Sequence, residues 1–412
     1  MQYQLLVEDR MKTSADVVVV GAGVIGCAIT YELSIRGVNV LLLEKDSIGS
    51  GGSAHATGSL NLLGSEFKPG ASFSQGIQSY KLFPGLVSAL EQETGMDLLY
   101  QRRPQIRLAL ESKEETLLTE SLVWQKQYLE MEWIDSAQVR NIEPRLSTAV
   151  RGALYEPETS QLDSYRFTLA MAQAAEKNGA EIQNREVTGL IKNKGIVTHV
   201  KHSSGTVPCD AVIFTMGPWA GDCAEWLGIP VPVVPLKGER LLLRYHGAPL
   251  PVLITSPKRG HMISRLDGLI SVGSTGGRDY DKSELFLGTE FDRHPTESAK
   301  IDLLSRAIDV MPDLETAEVV EHVAGSRPLS SDTNPILGPV PGLQGAFLAT
   351  GHGTKGIHLA PITAKIIGDY ITQGKYEPNG HGSSEWNKTF SPERFSVVNP
   401  EDFNEASLEV EE

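Results

Sequence analysis

Two glycine-rich loops, more than three hundred residues apart, carry the side chains and bare backbone best suited to holding negative charge. The first contains Gly21, Gly23 and Gly26 in a G-x-G-x-x-G spacing, with Glu44 some twenty residues on. In such a loop the first glycine permits a tight turn, the second lets backbone approach a pyrophosphate, and the third lets helix and strand pack closely. The helix that follows aims the positive end of its dipole at the phosphates, and a terminal carboxylate accepts ribose hydroxyls. The spacing points to a dinucleotide without a 2′-phosphate, but it does not separate NAD from FAD. A turn required only by packing in an empty α/β fold is the alternative. The second loop, ATGHGTKGIHLAP (Ala349–Pro361), places Gly351, His352, Gly353, Thr354, Lys355 and Gly356 before another helical pattern.

These loops need strands and helices to hold them. Val17–Val20 is a continuous apolar run, as expected of a parallel strand buried on both faces. Ile25, Ala28, Ile29 and Leu33 then recur at helical spacing, Gly37 supplies a stop, and Val38–Leu43 reads as the next strand. Polar helical sequence is expected around Leu117 to Trp133, and a second helix from Ser164 to a stop at Gly179. From Val187 a strand meander turns at Lys194-Gly195 and Ser204-Gly205, and further strands follow between Glu239 and Thr275. The last unit is a strand at Ala346–Thr350, the second loop, and a helix over Ile357–Ile371. From about Gly374 the chain is rich in Pro, Gly and Ser and then acidic, which predicts a poorly ordered tail. There is no internal repeat.

The 412 residues suffice for two domains, and the net charge of −15 repels nucleic acid and anionic membranes at long range. Cys27, Cys209 and Cys223 have no metal-ligand spacing and read as reduced thiols of a cytoplasmic protein. The N-terminal leader lacks a secretory pattern, and no apolar run is long enough to span a bilayer.

Five further stretches share one source of resemblance: GSGGSAHATGSLNLL (Gly49–Leu63), IFTMGPWA (Ile213–Ala220), VPVVPLKGERLLL (Val231–Leu243), AGSRPLSSDTNPILGPV (Ala324–Val340) and the second glycine loop. In this order, from Val17 to Ile371, the chain resembles the FAD-dependent amino-acid and amine oxidoreductases, the family of glycine oxidase, D-amino acid oxidase and sarcosine oxidase. The runs from Gly95 to Arg102 and from Ile142 to Ala175 resemble its glycine oxidase-like branch, which includes the flavin subunit of cyanide-forming glycine dehydrogenase.

The resemblance implies that Lys45, Ser53, His55, Ala56, Thr57, Gly58, Val187 and Gly217 join the two glycine loops around FAD. It implies that Arg327 binds the substrate carboxylate, a role suited to a planar, permanently charged guanidinium; a structural salt bridge is the bland reading. Lys355 stands where sarcosine oxidase-like members carry a carboxylate-holding lysine, while the glycine oxidase pattern has its cation one position earlier, at Thr354 here. A second anchor, a source of positive potential and a solvated surface lysine all remain open for Lys355. His261 replaces a substrate-contacting tyrosine and introduces a group able to gain charge near neutral pH, unless it is a plain half-buried strand residue. His55 matches a histidine that dimethylglycine and sarcosine dehydrogenases join covalently to the flavin. Their preceding tryptophan is Ala54 here, so packing beside the ring without a bond is the other reading. The second glycine loop would place N–H groups and a helix dipole against the flavin edge that becomes negative on reduction.

The fold expected is α/β, a discontinuous Rossmann-like FAD-binding domain with a second domain built on an antiparallel sheet. The boundaries are a leader at 1–14, FAD-binding segments at 15–80, 148–232 and 322–373, substrate-domain segments at 81–147 and 233–321, and a tail at 374–412. The expected reaction oxidises the C–N bond of a small amino acid or N-alkyl amino acid, with electrons passing to oxygen, a quinone or a partner subunit. A 2-hydroxy acid dehydrogenase, a tRNA-modifying oxidoreductase, an electron-relay subunit of a larger complex and a nicotinamide dehydrogenase are the rivals.

Overall fold

The computed structural model describes residues 14–63, 67, 69–275, 291–377 and 383–395. The four valines Val17–Val20 form the expected strand at the middle of a six-stranded sheet. They pair in parallel with Val40–Glu44 on one side and Ala211–Phe214 on the other. Glu181–Asn184 and Ala346–Thr350 extend the parallel set, and Ile336–Pro339 closes one edge antiparallel. A strand points successive side chains to opposite faces. Val17, Val19, Val40 and Leu42 accordingly pack with the helices Val24–Ile35, Ala71–Thr94, Ser164–Lys177 and Gly356–Gln373. Val18, Val20, Leu41 and Leu43 pack with the meander Val187–Asn193, Ile196–His202 and Gly205–Pro208. The result is a helix–sheet–sheet stack of Rossmann-like form.

The second sheet has eight strands, in the order Glu318–Ser330, Val233–Arg244, Leu269–Gly273, Gly260–Ser264, Leu253–Ser256, Gln101–Ala109, Gly152–Gln161 and Glu132–Asp135. All neighbours are antiparallel except Leu253–Ser256 with Gln101–Ala109. Its outer face carries Ile106, Leu108, Leu241, Leu243, Ile254, Met262 and Val272 in a core with the helix Glu297–Val310. The inner face carries the alternate residues. The strands Gly152–Gln161 and Glu318–Ser330 join this sheet from within, or across the start of, the segments 148–232 and 322–373.

Two local expectations are corrected. The helical pattern around Leu117–Trp133 ends at Gln125, and Trp133 belongs to a strand. Ile134 is buried there, and the Trp133 ring lies where any side chain at Gly152 would stand. Part of the expected loose tail is also ordered. Ser383–Phe390 forms a helix whose Trp386 and Phe390 join the main core, and the Arg394 guanidinium pairs with Asp332 at 2.8 Å. The leader up to residue 13 and the acidic stretch from residue 396 lie outside the described residues. Among the described residues no helix is long and apolar enough to cross a membrane.

Candidate active site

Both glycine loops border a single cavity of about 580 Å³ between the two large sheets. At its first end, the three motif glycines divide their work. Gly21 has φ +102°, and a Cβ there would stand 2.7 Å from the Thr215 carbonyl oxygen. A Cβ on Gly26 would strike the Gly21 carbonyl, so this glycine sets helix-to-strand packing and is not itself on the cavity wall. Gly23 is on the wall, and a Cβ there would meet only Ser53 Oγ, at 3.4 Å. Ser53 Oγ accepts the Val24 N–H at 2.9 Å and so tethers the following loop to the helix start. Glu44 accepts the N–H groups of Ala22 at 2.7 Å and Asp46 at 2.8 Å. These bonds fix its carboxylate at the strand end while leaving lone pairs for ribose hydroxyls. Lys45 places its ammonium 4.2 Å from the centre of the Trp219 ring. Val187 and Gly217 also face the cavity.

The strand Glu318–Ser330 is the strut on which the rest of the site hangs. Ser326 N–H bonds to the Gly51 carbonyl at 3.2 Å, and Gly325 makes room for the His55 Cβ. Leu329 bridges to His352, which draws the second glycine loop onto the same strand. His55, Ala56 and Thr57 therefore face the cavity from one side, and His352, Gly353, Thr354 and Gly356 from another. Gly58 and Gly351 are not on the wall. A Cβ on Gly58 would run into the Leu162 carbonyl, and one on Gly351 would stand 3.0 Å from the Ser330 Cβ. Burial first, then the charges of Arg240 and Arg293, hold the His55 imidazole below its ordinary pKa.

Arg327 sits on the strut with its guanidinium over Gly238, which has no side chain to displace it. Its Nη1 donates to the Thr275 carbonyl at 3.0 Å and its Nη2 to Ser274 Oγ at 2.8 Å. His261 lies on the same wall with Nε2 buried and, among the described residues, without a hydrogen-bond partner. Burial, then Arg240 and Arg327, push its pKa down to about 3. Burial, with these two cations, favours the neutral ring over a charged one near neutral pH. Lys355 is turned away from the cavity. It is 2 % exposed, donates to the Thr333 carbonyl at 2.8 Å, and lies 5.7 Å from the centre of the Phe67 ring. Its place is inside the loop that borders the cavity, as a brace.

Sequence reading missed Arg240, Arg107 and Trp219, all on the cavity wall. Register places Arg240, Gly273, His261, Thr255 and Arg107 side by side on five neighbouring strands. A row of this kind is set by long-range pairing, and the local hint is only the polar stretch Lys237–Arg240 between two apolar runs.

A Rossmann-like sheet with a phosphate-type glycine loop, a second glycine loop on the same cavity and an arginine-bearing sheet over it define an FAD-dependent oxidoreductase. The chain belongs to the DAO family of FAD-dependent oxidoreductases, whose model matches residues 16–370. It is 32% identical to glycine oxidase of Geobacillus kaustophilus over 359 residues, 86% of this chain and 92% of that one. It is 28% identical to hydrogen cyanide synthase subunit HcnC of Pseudomonas aeruginosa, over 87% of this chain and 92% of that one. The crystal structure of glycine oxidase from Geobacillus kaustophilus superposes with a TM-score of 0.83 at 29% identity, covering 94% and 99% of the two chains. The expected fold class and family are borne out.

Proposed function

We propose that the protein oxidises the C–N bond of a small amino acid or N-alkyl amino acid, with FAD as hydride acceptor. The observation that carries this reading is the shared cavity, lined by Gly21, Gly23 and Glu44, by His352–Thr354, and by Arg327 on the covering sheet. Similarity to glycine oxidases over most of both chains supports the amino-acid substrate. When bound, FAD would supply the hydride acceptor for the amine-bearing carbon, and water would hydrolyse the resulting imine product to an oxo acid and free amine or ammonia.

The chain's own residues do the positioning. Gly21–Gly26 and Glu44 would hold the diphosphate and ribose, and the second loop with the helix Gly356–Gln373 would supply positive potential. Arg327 would hold the substrate carboxylate as a planar donor pair and so fix the reacting carbon. Neutral His261 and His55 add donors or acceptors without adding charge. We read His55 as packing beside the flavin without a bond to it; unfolding the protein and following whether the yellow colour stays with the polypeptide checks this. Three buried cysteines with thiol pKa values pushed up by burial fit a reducing, cytoplasmic setting. Oxygen, a quinone or a partner subunit then re-oxidises the protein.

Anaerobic titration of the FAD-loaded protein with glycine, sarcosine and glycolate tests the reading. Bleaching of the visible flavin bands by the amines and not by glycolate is expected. Bleaching by glycolate alone would replace it with hydroxy-acid oxidation.

A further inference from the structure

Arg240 is a buried cation on the covering sheet to which no side chain among the described residues supplies a counter-ion. It is 8 % exposed, on the cavity wall, and donates from Nε to the His55 carbonyl at 2.8 Å. Its Nη1 is buried with no hydrogen-bond partner, and no carboxylate lies in ion-pair range of it among the described residues. The acids whose charge reaches it are otherwise placed. Asp163 and Asp267 both pair with Arg265, at 3.1 and 2.9 Å, and Glu321 is exposed. Glu239, the next residue, points to the opposite face and is held by Thr296 at 2.8 and 3.0 Å and by His322 at 2.9 Å.

A buried guanidinium without a counter-ion costs several kcal/mol, and a bound anion is the usual remedy. Its position says which compartment that anion enters. Leu236, Gly238 and Arg240 share a face of one strand, Arg327 pairs with Leu236, and its guanidinium covers Gly238. Arg240 is thus one two-residue step, about 7 Å, along the strand from the guanidinium of Arg327. His261 stands across Gly273 from it and is neutral, so it neither competes for an anion nor supplies one. The dinucleotide glycines line the cavity from the six-stranded sheet, whereas Arg240 and Arg327 line it from the eight-stranded one.

We propose that Arg240 is a specificity residue that receives a second carboxylate of the substrate, while Arg327 receives the first. This rests on the amino-acid oxidation reading and narrows it: the preferred substrate is an amino acid bearing two carboxylates. The second carboxylate is attached either to the side chain, as in aspartate, or to the nitrogen, as in N-carboxymethylglycine.

The test separates binding from reduction. Calorimetric titration of the FAD-loaded protein with succinate and with butyrate measures the preference for a second carboxylate without any electron transfer. Succinate binding at least tenfold tighter is expected, and the ratio should fall at least fivefold in Arg240→Gln while Arg240→Lys retains part of it. Equal affinities in the unaltered protein, or a ratio unchanged in Arg240→Gln, would overturn the proposal. If Arg240→Gln does not fold, the ratio in the unaltered protein and in Arg240→Lys decides by the same criterion. Anaerobic titration with aspartate, N-carboxymethylglycine and glycine then locates the second carboxylate. The attachment giving the lowest half-saturation is the favoured one, and half-saturation by glycine below both would also overturn the proposal. If glycine bleaches the flavin but succinate shows no advantage, Arg240 alone is reassigned; if succinate is preferred yet no amine bleaches it, the amine-oxidation reading fails instead.

Discussion

Two cations that look equivalent in the sequence stand in different environments. Arg327 reaches the cavity over Gly238, whereas Lys355 is buried against the Thr333 carbonyl. Replacing Arg327 by Met should remove charge-assisted bonds worth about 2–3 kcal/mol, raising the half-saturating concentration for flavin reduction roughly 30- to 150-fold. Lys355→Met should leave that concentration within about threefold and instead lower unfolding free energy by about 1–3 kcal/mol, read by denaturant titration. A large rise in half-saturation with unchanged stability would restore Lys355 as an anchor. Family resemblance supplied Arg327 and His55, because their neighbours in sequence carry the pattern. Nothing local reports on the Lys355 side chain, whose direction depends on Thr333, or on Arg240, whose row is assembled across five strands.

At the scale of elements, the first glycine loop shows how one motif contains two kinds of requirement. A Cβ at Gly26 collides with the Gly21 carbonyl, while one at Gly23 meets only a serine hydroxyl at the edge of the cavity. Gly26→Ala should therefore lower the melting temperature of the cofactor-free protein and also the FAD content of the protein as purified. Gly23→Ala should leave the cofactor-free melting temperature within about 2 °C, and weaken FAD binding by tenfold or more in equilibrium titration. Equal losses of stability would show that the two positions do the same job. The strand, helix and strand around this loop were legible because their apolar runs have the period of their elements. The end of the helix at Gln125 was not, since a polar helix and a polar edge strand differ there mainly in what Trp133 finds to pack on.

Across the whole molecule, buried neutral histidines couple stability to pH. His261 and His352 are pushed down to about 3 and His358 to about 4, in each case first by burial. In the unfolded chain these rings take up protons near pH 6.5, which the folded protein refuses. Unfolding therefore gains protons as pH falls, and stability drops by about 1.4 kcal/mol per pH unit for each ring below that point. Glu156, raised to about 8 by burial, opposes this with a single group that favours the folded state toward acid. The net expectation is a protein more stable at pH 7 than at pH 5.5 in denaturant titrations, and equal midpoints at the two values would count against the neutral assignments. The Rossmann-like plan was readable from the buried valine and leucine runs, but the ordered segment 383–395 was not. Its few aromatic residues, Trp386, Phe390 and Phe395, lie in a stretch whose composition is that of a loose end.

The order in which the sheet is threaded sets a timetable for assembly. The central strand Val17–Val20 precedes its neighbour Ala211–Phe214 by nearly two hundred residues, and the loop that closes the cavity comes only after Ala346–Thr350. The chamber is complete only once strands this far apart in the chain have paired, so a flavin site waits on long-range pairing and not on either glycine loop alone.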